Sequence, residues 1–308
     1  MYYGILFIGG VMAFDFYFAG ATTQRIRDYI IGLNANVLKS YYTDKAAIEK
    51  FFVAKKNGWR GKLMIDNGEF SFHRHGGSID IDEYIEWLNK YDSFIDYAIA
   101  VDSIPGKWRQ PKTLNDYQIS TQKTWENYLY MIKRVKSPNK LLPVFHQGDD
   151  FSALERFLLL PELKYICISG SKDLTNADRE VFYERCFDII DRLRPDIKVH
   201  CLGSATISNV EQFRFMSLDS TTCNMVAAMG NVFIEGQVIY VGDNLMTIKS
   251  KGPDYIDVLN RYCVAYGIDS DAIGSDYQSR CIFNIKYLFE KSHIVETRKT
   301  VVRRRKLF

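Results

Sequence analysis

Between residues 13 and 220 the chain alternates two kinds of stretch. Short apolar runs are followed by longer stretches in which apolar residues recur at helical spacing. The first run, over 13–20, is dense in aromatic residues and predicts a strand. Thr22 or Thr23 then caps a helix that carries Ile26, Tyr29, Ile30 and Leu33 on one face. Further strands are predicted over 37–41, 62–65, 97–101, 141–145, 164–168, 198–201 and 216–218. Helices are predicted over 45–57, stopped by Gly58, and around Ile81, Tyr84, Ile85 and Leu88. Others follow over 113–135, over 151–160 closed by Pro161, over 176–193 and over 209–215. The stretch holding Gly68, Gly76 and Gly77 reads as a loop.

The strand runs are apolar at consecutive positions. Both faces are therefore buried, as in a parallel sheet covered by helices. Eight such runs alternating with helices predict an α/β fold, a (β/α)8 or TIM barrel. The rival is a doubly wound open sheet, which usually carries a Gly-rich phosphate turn after its first strand; Gly20-Ala21-Thr22-Thr23 is not one. Beyond residue 219 the pattern changes. Residues 231–241 read as a hairpin turning at Glu235-Gly236, and 255–266 as a helix that is the candidate for the last of the barrel. Residues 282–290 read as another helix. The chain thus reads as one barrel domain over 1–308, with a small hairpin and helical elaboration, no zinc subdomain and a basic tail over 297–308.

Composition adjusts this picture only locally. The 308 residues are 47% hydrophobic, enough to bury a large core. Forty basic residues stand against 37 acidic ones, so there is no global polyanion signature. The tail is the exception: Arg298, Lys299, Arg303, Arg304, Arg305 and Lys306 are unopposed by any acid, which makes it a candidate phosphate contact. Cys167, Cys186, Cys201, Cys223, Cys263 and Cys281 are widely spaced, and several sit in apolar runs. That usage predicts reduced thiols and a cytoplasmic location. His73 and His75 have no clear third ligand, so neither a metal nor another cofactor is expected. The apolar start lacks a basic leading region and is too short to span a bilayer; neither a signal peptide nor a membrane segment is expected.

The chemistry gathers at the strand ends. Asp66, Asp102, Gln147, Gly170, Gly203 and Asp219 each stand at or just beyond the C-terminal end of a predicted strand, where barrels of this kind place their active sites. An aspartate in that place can equally cap the next helix. Two carboxylates beside one sugar carbon can carry out retaining glycosyl transfer, one attacking and the other moving protons. A third carboxylate and an amide suit the N–H and carbonyl edge of a purine.

These residues resemble the tRNA-guanine transglycosylase superfamily. Ile65-Asp66-Asn67-Gly68-Glu69-Phe70 looks like its Asp-Ser-Gly-Gly-Phe-Gln signature, and Val144-Phe145-His146-Gln147-Gly148 is similar to its Val-Gln-Gly segment. Ile168-Ser169-Gly170-Ser171 sits where the family has a Gly-rich base-binding loop. His200-Cys201-Leu202-Gly203-Ser204, followed by Leu218-Asp219-Ser220, resembles its Leu-Met-Gly-Val-Gly segment and nucleophilic aspartate. The resemblance implies Asp219 as nucleophile at C1′ and Asp66 as general acid and base. It implies Phe70 stacking on the base, and Asp102, Gln147, Gly170, Leu202 and Gly203 around the base edge. Asn67 and Glu69 depart from the signature, and Cys223, Cys263 and Cys281 cannot form the zinc site of the members that act on tRNA. The compact, zinc-less form looks more like the DpdA-type branch of bacteria and phages, which exchanges guanine in DNA for a 7-deazaguanine such as preQ0.

The expected partners are therefore DNA, with a guanine nucleotide flipped out of the stack, and a free 7-deazaguanine base; a homodimer is compatible with this. For a phage-encoded protein the location would be the host cytoplasm. Backbone phosphates would meet Lys107, Arg109 and Lys112 in the loop after the fourth strand, and Arg303, Arg304 and Arg305 in the tail. The alternatives are a tRNA enzyme that has lost its zinc, a catalytically silent nucleic-acid-binding homologue, and a barrel hydrolase of nucleosides or sugars.

Overall fold

The computed structural model describes residues 14–20, 22–107, 109–171, 174–203, 212–242 and 253–293. Its strands are β1 (Asp15–Phe18), β2 (Asn36–Ser40), β3 (Leu63–Asp66) and β4 (Tyr97–Ile99). There follow β5, in two segments (Leu141–Leu142 and Val144–His146), β6 (Tyr165–Ser169), β7 (Lys198–Leu202) and β8 (Ser217–Ser220). Every pairing among them is parallel. β1 lies between β2 and β8, and neighbours run from there in sequence order around both sides.

The two sides meet in β5. Its first segment pairs with β4 and its second with β6, so one broken strand closes the ring. Pro143 sits at the break. It has no N–H to give, but its carbonyl accepts from the Cys167 amide at 2.9 Å. The result is an eight-stranded closed barrel, as the alternation predicted.

Side-chain parity sorts the strands into two cores. Outward residues such as Val37, Leu63, Ile65, Phe145, Ile166, Ile168 and Val199 pack under the helices. Tyr17, Leu38, Met64, Ile99, Leu142, Val144, Tyr165 and Cys167 fill the interior. Below them Asp15 accepts from Lys62 Nζ at 2.5 Å and from Asn36 Nδ2 at 3.2 Å, a polar plug on the N-terminal side. The helices are α1 (Gln24–Gly32), α2 (Lys45–Lys56), α3 (Glu69–Arg74), α4 (Ile81–Tyr91) and α5 (Leu114–Ile132). α6 (Phe151–Leu158) and α7 (Asn176–Leu193) follow. Thr23, not Thr22, accepts from the Ile26 amide as the cap of α1. Thr113 with Asp116 and Thr175 with Asp178 form capping boxes for the two longest helices.

Three expectations are corrected. The Gly-rich loop after β3 contains α3, a turn-and-a-half helix too short to show a 3.6-residue pattern. β8 runs on to Ser220, so Asp219 lies within the strand and not after it. A short helix, α8 (Thr222–Ala228), follows directly. The helix that closes the barrel is α10 (Tyr277–Ser292), which packs on β1, α1 and α8; α9 (Pro253–Tyr266) packs outside it. α10 has ten buried residues, among them Arg280 and Asn284, whose polar side chains hide its buried face in the sequence. The hairpin stands as expected, with β9 (Asn231–Ile234) and β10 (Gln237–Tyr240) joined at Glu235-Gly236, both at positive φ. Residues 209–211 of the helix expected over 209–215, and the whole of the basic tail, lie outside the described residues. Among the described residues no helix is long and apolar enough to cross a membrane.

Candidate active site

The inward rows of β3, β5, β6, β7 and β8 end at the same mouth. Cys167, in the centre of the barrel, reports their convergence: burial pushes its thiol well up, and the charges of Asp219, Asp102 and Asp66 push it further. Asp66 is itself raised from 3.8 to about 7, first by burial and then by Asp102 and Asp219, while the Gly68 N–H works in the opposite direction. Three carboxylates, one of them more than a hundred residues along the sequence from the other two, thus share one electrostatic site.

Asp66 is placed by a tight turn. Gly68 has φ +89°, and a Cβ there would lie 2.6 Å from Tyr42 Cβ and 2.8 Å from Ser40 Oγ, so only glycine fits. The two departures from the signature have structural work. Asn67 is buried; its Nδ2 donates to the Ala100 carbonyl (2.7 Å) and to Asp102 Oδ1 (3.0 Å), while its Oδ1 accepts from the Glu69 amide (2.6 Å). Glu69 turns inward and its Oε2 accepts from the Ile79 amide at 2.9 Å, which ties α3 to the segment leading into α4. Phe70, the next residue, is 54% exposed on α3.

Asp102 has a partner on each oxygen. Oδ1 takes Asn67, and Oδ2 takes His146 Nε2 at 2.8 Å. The other side of His146 faces Asp149, whose Oδ2 also accepts the His146 amide at 3.0 Å. Burial disfavours a charged imidazole here, but hydrogen bonds and charge from Asp102 and then Asp149 outweigh it and raise His146 to about 10. The imidazole is clamped between two carboxylates that favour its charged form. Each oxygen of Asp102 keeps a further lone pair.

Asp219 is buried on β8. Its Oδ1 accepts from the Gly203 amide at 2.8 Å and lies 3.3 Å from His200 Nε2. The Gly203 N–H, expected at a base edge, thus serves Asp219. Gln147 is held at both ends: Oε1 accepts from the Ser171 amide (2.9 Å) and Nε2 donates to the Asp178 carbonyl (3.1 Å). In this arrangement it joins the loops after β5 and β6. Gly170 is buried beyond β6 and Leu202 closes β7 at the mouth. Lys107, Arg109 and Lys112 are exposed in the loop after β4; burial lowers the pKa of His73 on α3, and the charge of Lys112 lowers it further. Arg303, Arg304 and Arg305 lie outside the described residues.

No family profile matches this chain, and no curated protein is similar to it. Among solved structures it is similar to N-acetylneuraminate lyase from Fusobacterium nucleatum, with 11% identity, a TM-score of 0.45, and 92% of this chain and 99% of that chain covered. It is also similar to the carboxyl transferase domain of Rhizobium etli pyruvate carboxylase with 3-hydroxypyruvate, at 10% identity and a TM-score of 0.42, over 92% of this chain and 49% of that one. A native KDPGal structure aligns with 12% identity and a TM-score of 0.39 over 81% of this chain and 95% of that chain. The barrel assignment rests on the chain's own strand pairing. Among the described residues no group of three His, Cys, Asp or Glu side chains is arranged to hold a metal.

His200, His146, Asn67 and Ser217 were not candidates in the sequence. Parity held a signal for two of them: His146 and His200 each fall two residues from a residue of the interior cluster, Val144 and Leu202, and so share its inward row.

Proposed function

We propose that the protein is an enzyme of base exchange, a DNA guanine transglycosylase that replaces guanine with a 7-deazaguanine through a covalent aspartyl-deoxyribosyl intermediate. The observation that carries the reading is the division of labour among the carboxylates at the mouth. Asp66 is held near neutrality in its acid strength, so it can give and take a proton. Asp219 is fixed by donors on one oxygen, which leaves Oδ2 for attack.

In the first half-reaction Asp219 Oδ2 bonds to C1′ while the C1′–N9 bond breaks. Its electron pair leaves with guanine, which takes the proton of Asp66. In the second half-reaction Asp66 removes the proton from N9 of the incoming base, N9 attacks C1′, and the bond to Asp219 breaks. Phe70 offers a stacking face, and Asp102 and the clamped His146 line the base side of the site. Lys107, Arg109 and Lys112 supply cations for the phosphates of a flipped nucleotide. The choice of DNA follows from the resemblance of the motifs to the zinc-less branch of the superfamily.

The test incubates the protein with DNA or tRNA and labelled guanine or preQ0, then digests each polymer to nucleosides. Label in DNA alone is expected. Label in tRNA alone would transfer the reading to RNA, and label in neither, with no covalent adduct, would remove base exchange. Asp219→Ala should abolish the adduct; an undiminished adduct would exclude Asp219 as the nucleophile.

A further inference from the structure

Behind Asp219 the His200 contact on Oδ1 continues into a chain of buried hydrogen bonds. Tyr165 Oη and Ser217 Oγ are 2.5 Å apart, Ser217 Oγ and His200 Nδ1 are 2.5 Å apart, and His200 Nε2 is 3.3 Å from Asp219 Oδ1. Tyr165, His200 and Ser217 are buried, with His200 and Ser217 wholly inaccessible. They lie on β6, β7 and β8, on rows that face the barrel axis. The Tyr17 and His200 rings make a T-shaped contact at a centroid distance of 5.8 Å, and the Tyr165 and His200 rings another at 6.5 Å, so two aromatic rings pack on the imidazole.

The direction of the chain is constrained. An ionised carboxylate only accepts, so His200 Nε2 must carry a proton toward Asp219. If the imidazole is neutral, Nδ1 accepts from the Ser217 hydroxyl, which in turn accepts from Tyr165. If it is charged, Nδ1 donates to Ser217, which then donates to Tyr165. Either way Nε2–H points at Oδ1. Together with the Gly203 amide it occupies Oδ1 twice, and both contacts leave the lone pairs of Oδ2 untouched.

We infer that His200, held by Ser217 and Tyr165, is a positioning residue that fixes the Asp219 carboxylate so that Oδ2 is the attacking oxygen. The inference rests on the base-exchange reading for its kinetic meaning, but the His200–Asp219 coupling is a property of the protein alone. His200 touches neither sugar nor base. It restricts the rotation of the nucleophile and stabilises its charged form, as a third group orients the partner of an activated nucleophile elsewhere.

The variants are His200→Leu, which removes the donor at similar volume, His200→Gln, which retains an N–H donor, and Ser217→Ala, which frees the far side of the ring. Two readouts are used. The single-turnover rate of covalent adduct formation on DNA is expected to fall about 10–100-fold in His200→Leu, the worth of a hydrogen bond to a charged group. DNA affinity should not change, and His200→Gln should recover most of the rate. Ser217→Ala should give a smaller loss of the same kind.

The second readout needs no substrate: the carbon-13 titration of the Asp219 carboxyl, assigned by its absence in Asp219→Asn. Loss of a donor to the charged form should move its midpoint upward in His200→Leu and less in His200→Gln. An unchanged midpoint, or a folded His200→Leu protein with the wild-type adduct rate, would overturn the inference. His200→Gln no better than His200→Leu would do the same. If the wild type forms no adduct, base exchange fails while the carboxyl titration still decides whether His200 governs Asp219. If His200→Leu does not fold, the titration of Ser217→Ala, with a raised midpoint expected and an unmoved one contrary, carries the decision.

Discussion

Replacing Asp66 by Asn should stabilise the fold, and the gain should grow with pH. Burial under the mouth, followed by the charges of Asp102 and Asp219, raises this carboxyl to about 7 from 3.8. Below the lower value both folded and unfolded chains hold the proton, and the group has no effect. Between the two values the unfolded chain has released its proton while the folded one keeps it, so stability falls as pH rises. Above about 7 the folded state bears the full cost of the charge. At 1.36 kcal/mol for each pH unit, the interval corresponds to ~4 kcal/mol. Asp66 keeps partial contact with solvent, which screens the charge and brings the expectation to about 2 kcal/mol. Asn is neutral, and its amide oxygen still accepts from the Gly68 N–H.

The assay is urea unfolding of wild type and Asp66→Asn at pH 5 and pH 8. The gain at pH 8 should exceed that at pH 5 by about 1 kcal/mol. Base exchange should be lost in the same variant, the trade of stability for activity that a strained site predicts. A gain of equal size at both pH values, or a loss at pH 8, would show that Asp66 does not carry an ionisation cost and would refute the account of its raised pKa.

The same titration gives the half-reactions opposite slopes: guanine release in single turnover should fall as pH rises through about 7, and uptake of the incoming base should rise, measured by separate pre-steady-state traces. All six cysteines are buried and free, and burial pushes Cys201 up to about 12 and Cys263 to about 11; native protein should therefore react slowly with a thiol reagent at pH 8 and expose every thiol on unfolding. Replacing Lys107, Arg109 and Lys112 together with Ala should flatten the salt dependence of DNA binding, lowering the log–log slope by about 2–3. Phe145→Ala empties a site between Phe151 and Phe182 and should cost about 3–5 kcal/mol in chemical denaturation.

The sequence by itself determined the strand count, the barrel class and the carboxylates at the strand ends. Those properties are local: a buried parallel strand must be apolar on both faces, the helix beside it must repeat every 3.6 residues, and a turn must follow. Asp66, Asp102 and Asp219 were legible because each breaks an apolar run at its C-terminal end. Gly68 was legible as a turn residue, although the collision with Tyr42 and Ser40 that demands glycine was not.

The tertiary structure decided what depends on partners far along the chain. Pro143 reads as a strand breaker, yet the two halves of β5 close the ring because β4 and β6 take one half each. α10, and not α9, seals the barrel because its buried face meets β1 and α1, which lie at the other end of the sequence. Ser217 and His200 are unremarkable in an apolar run; only the parallel register of β7 and β8, with His200 opposite Ser217, puts them beneath Asp219. Likewise, the charged form of His146 is favoured by Asp102 and Asp149, which strand pairing and the following turn bring to its two sides. Residue type and spacing are written along one dimension, whereas hydrogen-bond partners and electrostatic neighbours are set by strand pairing across it.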